Sequence, residues 1–77
     1  MQEVVEVLVR ALVDNPDAVT VTETSRRGDT VYLEVTVAPG DTGRVIGRGG
    51  RIAKAIRTVA KTAAERHGLR AVVDIAA

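Results

Sequence analysis

The chain has no cysteine, no tryptophan and no phenylalanine, and each absence removes a class of function. Without cysteine there is no disulfide framework and no thiolate metal site. A single histidine, His67, gives a histidine-built metal centre nothing to assemble from, so no metal or cofactor is expected. Tyr32 is the one aromatic residue, so the core must come from Val, Ile, Leu and Ala. No segment approaches the ~18 consecutive apolar residues of a membrane span, and no membrane partner is expected. Met1-Gln2-Glu3 starts acidic, without the basic n-region of a signal peptide. Together with the lack of cysteine, this leads to the expectation of a cytoplasmic location.

Catalytic residues are equally scarce. Ser25 is the only serine and sits beside a turn, and His67 lies at a predicted helix end, where a dipole contact explains it. No pair of acids has a spacing that demands general acid–base work. The expectation is a protein that is not an enzyme.

What is present fits one small domain, residues 1–77, with an ordinary hydrophobic fraction of 45%. The formal net charge of +1 hides a division. Residues 1–41 hold eight acids and three bases, whereas residues 42–77 hold eight bases and two acids. A basic half in a nearly neutral chain points to one face for a polyanion.

The apolar periodicity sets the elements. Residues 2–14 place Val4, Val5, Leu8, Ala11 and Leu12 on one helical stripe, and Asn15-Pro16 ends it. Residues 18–25 alternate, with Val19 and Val21 against Thr20, Thr22 and Thr24. Residues 30–37 alternate again through Val31, Leu33, Val35 and Val37. Arg27-Gly28-Asp29 between them reads as the turn of an antiparallel hairpin, and turn chemistry accounts for it better than adhesion does.

After the loop Pro39-Gly40-Asp41, Asp41 or Thr42 can cap a short helix. A longer helix is expected from about Gly50 to His67, with Gly68 as its stop. It carries Ile52, Ile56, Val59, Ala60 and Ala63 on one face and Arg51, Lys54, Arg57 and Lys61 on an adjoining one. Residues 69–76 alternate a last time through Leu69, Ala71, Val73 and Ile75. The order α-β-β-α-α-β predicts an α+β fold, a three-stranded sheet covered on one face by helices.

The most telling segment is Val45-Ile46-Gly47-Arg48-Gly49-Gly50-Arg51-Ile52. Its glycines lie at a helix N-terminus, where free N–H groups and the helix dipole favour an anion. Arg44, Arg48 and Arg51 surround them, and no acid lies between Asp41 and Glu65. The segment is not a P-loop, because Gly-x-x-x-x-Gly-Lys-Ser/Thr is absent. Nor is it a dinucleotide fingerprint, since Ile52 stands where the third glycine belongs.

These residues resemble the core of a KH domain, whose hallmark is a Gly-x-x-Gly loop between two helices, here Gly47-Arg48-Gly49-Gly50. The element order resembles the type II form. The run from Gly43 to Gly47, followed by Gly50-Arg51-Ile52-Ala53-Lys54-Ala55-Ile56-Arg57, is similar to the small bacterial RNA-binding KhpA (YlqC-like) family over essentially the whole chain. Gly49 departs from the residue types common at its loop position, which are often polar or basic.

The resemblance implies a groove for about four nucleotides of single-stranded RNA. In that setting the N–H groups of Gly47 to Gly50 are expected to meet phosphate, and Arg48 and Arg51 to add charge-assisted contacts. Arg44 and Lys54 extend the basic rim, with Arg57 beyond. Val45, Ile46 and Ile52 are expected as an apolar wall, while Ile56 reads as core. Tyr32 stands alone on a strand, so stacking contributes little and binding should be modest and salt-sensitive. The family resemblance also implies self-association, a larger KhpB/Jag-like KH-containing partner, and a link to RNA chaperoning and cell-shape or envelope control. The alternative expectation is a protein-interaction subunit with little RNA affinity of its own.

Overall fold

The computed structural model describes residues 2–76. The expected order is present: α1 (Gln2–Leu12), β1 (Thr20–Arg27), β2 (Thr30–Thr36), α2 (Thr42–Ile46), α3 (Arg51–Glu65) and β3 (Arg70–Ile75), with short 3₁₀ turns between some of them.

α1 ends before Pro16, as the proline requires, and a 3₁₀ turn over Pro16–Ala18 redirects the chain. Its buried stripe is rotated from the expected one. Val5 and Val9 are fully buried and Leu8 and Leu12 pack against them, whereas Val4 and Ala11 are exposed. Spacing of three and four from Val5 selects Leu8, Val9 and Leu12; the sequence stripe had omitted Val9.

β1 begins at Thr20, later than expected, with Val19 buried just ahead of it. β1 and β2 pair antiparallel, from Thr20 opposite Thr36 to Arg27 opposite Thr30. The turn is therefore Gly28-Asp29 alone, with Gly28 at φ 58 in the left-handed region. The register shifts between Glu23 and Ser25, so Thr24 is a bulge and the alternation read from the threonines ends there.

β3 pairs parallel with β2, which makes the sheet order β1-β2-β3 with mixed direction. A parallel neighbour needs a crossover, and α2 and α3 supply it. Val31, Leu33, Val35 and Val73 face the helices and join Val5, Val9, Val21, Val45, Ile56 and Ala60 in one core. The other sheet face, with Thr20, Thr22, Tyr32, Glu34 and Val72, carries no helix.

α3 runs from Arg51 to Glu65 rather than to His67, and Gly68 at φ 70 ends the turn that follows. Ala53, Ile56, Ala60 and Ala64 are its buried residues. Val59, expected on the buried face, is 38% exposed, and Ala63 is half-buried. The heptad-like spacing of 53, 56, 60 and 64 uses small alanines, which let the helix sit close to its neighbours.

Candidate nucleic-acid interface

α2 and α3 meet at residues 47–50, and backbone conformation defines that junction. Gly47, Gly49 and Gly50 all have positive φ, at 74, 65 and 77. Residues with a Cβ rarely adopt this region, so the loop needs its glycines for shape. Gly49, which departs from the usual residue types, takes the left-handed conformation without cost.

The three positions differ in the space around them. A Cβ on Gly47 would stand 2.6 Å from Ile52 Cγ1, whereas one on Gly49 or Gly50 would meet nothing within 4 Å. Gly47 is thus also a packing glycine: the first turn of α3 folds back over it through Ile52. Gly49 and Gly50 are open to whatever approaches the loop.

The loop satisfies part of its own backbone. Gly47 N–H donates to the Gly43 carbonyl at 2.9 Å and Gly50 N–H to the Gly47 carbonyl at 3.1 Å. The Arg51 N–H, at the start of α3, donates to the Arg48 carbonyl. Of the four N–H groups expected to meet phosphate, those of Gly47 and Gly50 are engaged in these bonds. Arg48 and Gly49 are the most exposed residues of the loop, just ahead of α3, whose dipole adds partial positive charge.

The expected side chains divide into three groups. Arg48, Arg51 and Lys54 are exposed around the loop. Ile46, 37% exposed, and half-buried Ile52 offer apolar surface beside it. Val45, expected in the apolar wall, is fully buried and belongs to the core. α2 is only five residues long, and Val45 is the one side chain it inserts.

Arg44, expected on the basic rim, is paired with two aspartates. Its Nη2 is 3.0 Å from Asp14 Oδ2 and its Nε is 3.9 Å from Asp41 Oδ1. Asp41 is also not the simple helix cap expected: it makes no capping hydrogen bond to α2. Its carboxylate is buried and accepts the N–H groups of Asp14 at 3.1 Å and Asn15 at 3.0 Å. It ties the end of α1 to the start of α2, a tertiary role that local capping chemistry does not signal.

Arg57 is likewise engaged, its Nε donating to the Val73 carbonyl of β3 at 3.2 Å. The bond fixes α3 against the edge of the sheet. Lys61 is exposed further along. Tyr32 lies on the open sheet face, in register with Val72 and Ser25, and not in the helical layer that holds the loop. No group of acids, histidines or cysteines suited to a metal occurs among the described residues, and no helix among them is long and apolar enough to cross a membrane.

A family model described as "KhpA/KhpB, KH domain" matches residues 2–75. The chain is 49% identical over 75 residues to the RNA-binding protein KhpA of Caldanaerobacter subterraneus subsp. tengcongensis, covering 97% of this chain and 99% of that one. The same figures hold for the protein of that name from Clostridium acetobutylicum. The Mycobacterium tuberculosis protein is 62% identical over 58 residues, which is 74% of this chain and 70% of that one. These relatives are named for binding and not for catalysis, in agreement with the non-catalytic expectation. With a family match from the first helix to the last strand, and with the glycine loop between α2 and α3, the chain belongs to the KhpA/KhpB family of KH domains.

Proposed function

We propose that this chain is a non-catalytic, single-stranded RNA-binding module whose glycine loop grips the RNA backbone. The observation that carries the reading is the loop itself. Exposed Arg48 and Gly49 form the outer part of a turn shaped by three positive-φ glycines, directly before exposed Arg51 at the start of α3. That combination suits a phosphate oxygen, which accepts several hydrogen bonds at once. Ile46 and Ile52 provide apolar surface for the adjoining sugar or base. Relatives named as RNA-binding proteins support RNA as the polyanion.

The reading extends to a cytoplasmic setting and to a second module. A groove without an aromatic platform holds a short stretch weakly, and joining two such grooves raises avidity without new contacts. A KhpB/Jag-like KH-containing protein, or a second copy of this chain, suits that need, and the family model's joint name supports the first. An RNA-chaperone or post-transcriptional role linked to cell shape and the envelope completes the proposal, on the family resemblance alone.

The test is fluorescence polarisation with a labelled single-stranded RNA across a salt series. The wild type is compared with Gly49→Asp/Gly50→Asp, which leaves the packed Gly47 intact. The wild type should bind, with affinity falling as salt rises, and the variant should lose at least about tenfold while it stays folded, its melting temperature lowered only by the strain of two side chains at positive φ. Near-wild-type affinity in a folded variant would rule the loop out as the grip. Absence of wild-type binding at low salt would favour the protein-interaction reading, for which the helix-free sheet face around Tyr32 and Val72 is the available surface.

A further inference from the structure

Arg44 sits in the last turn of α2, and the loop begins at Gly47, one helical turn further on. Its charge is nevertheless directed backward, to a pair of aspartates with different characters. Asp41 is a fixed structural element: 4% exposed and held by two backbone N–H donors. At 3.9 Å it orients the Nε side of Arg44 without a hydrogen bond. Asp14 is different. Its side chain is 73% exposed, and its 3.0 Å contact with Arg44 Nη2 joins two solvated groups. Exposed pairs of this kind are weak and exchange readily.

We propose that Asp14 is an internal rival of the RNA phosphate for Arg44. The inference rests on the RNA-binding reading above. Asp14 holds the guanidinium toward the end of α1 and so keeps one positive charge out of the loop's field. A phosphate entering at Arg48 and Gly49 brings an acceptor of equal charge that a guanidinium can likewise grip with two hydrogen bonds. Arg44 can then leave Asp14 and turn forward while its stem stays beside Asp41. RNA affinity is thereby set below what the basic cluster would give unopposed.

The measurement is polarisation with a short, mixed-sequence, labelled single-stranded RNA over a salt series, on wild type, Asp14→Asn, Arg44→Gln and the double variant. Asp14→Asn keeps the backbone N–H that Asp41 accepts, and a melting curve checks that the fold is unchanged. Asp14→Asn should tighten binding about three- to tenfold at low salt and steepen the log–log salt slope by about 0.7, the value of one more single-strand phosphate contact. In the Arg44→Gln background the same change should bring no gain. An equal gain in the double variant would overturn the proposal, because removing any negative charge would then suffice. Wild-type binding with no gain in Asp14→Asn would overturn it while leaving the RNA reading standing. No binding by any of the four proteins would overturn both.

Discussion

α1 and α3 lie against each other and over the same sheet, yet α1 turns a nearly balanced set of charges outward, with Glu6 paired to Arg10, and α3 a mainly basic one. α1 buries Val5 and Val9 beneath a surface that includes Glu3 and Glu6. α3 buries Ala53, Ile56, Ala60 and Ala64 beneath Arg51, Lys54, Arg57 and Lys61. Both helices do the same packing work, and only α3 follows an exposed loop of three positive-φ glycines. The buried face decides the fold and the outer face decides the ligand, so the two can be altered separately.

The largest expected effect breaks the common role of the helices in packing. Ile56→Ala empties a fully buried site. It should cost about 2–5 kcal/mol in a urea titration, much of the stability of so small a domain. Lys54→Ala, on the outer face of the same helix, should stay within about 0.5 kcal/mol.

A smaller effect separates the glycines. Gly47→Ala meets both a positive φ and the Ile52 side chain. About 2–3 kcal/mol of destabilisation is expected. Gly49→Ala meets only the positive φ and should cost about 1–2 kcal/mol. Equal melting temperatures for the two variants would contradict the packing role assigned to Gly47.

The last comparison concerns charge alone. Arg48→Gln/Arg51→Gln should weaken single-stranded RNA binding by more than about tenfold with little change in melting temperature. Glu3→Gln/Glu6→Gln on α1 should change it by less than about threefold, since screening confines such charges to a Debye length of ~8–10 Å. A similar effect from both pairs would mean that net charge, and not the loop, controls affinity.

Element order and the glycine loop were legible in the sequence because both have local causes. Alternating valines mark strands, Asn15-Pro16 and Gly68 stop helices, and closely spaced glycines between apolar residues mark a turn of unusual backbone. What was not legible depends on tertiary placement. Val9 was missed because valines and leucines crowd α1 on more than one side, and only the sheet selects which of them is buried. Val45 looked like groove surface because nothing in a five-residue helix shows which side faces inward. Asp41 looked like a cap because its neighbours Pro39, Gly40 and Thr42 suit one, whereas its partners Asp14 and Asn15 lie far back in the chain. The bulge at Thr24 left no mark in a run of alternating threonines.

A phosphate held by the loop backbone is tested most directly by a ¹⁵N-edited NMR titration of the protein with a short single-stranded RNA. The amides of Arg48 and Gly49 should move first and furthest, with Gly50 and Arg51 following. Shifts confined to the open sheet face, at Thr20, Thr22, Tyr32 and Val72, with silent loop amides, would contradict it.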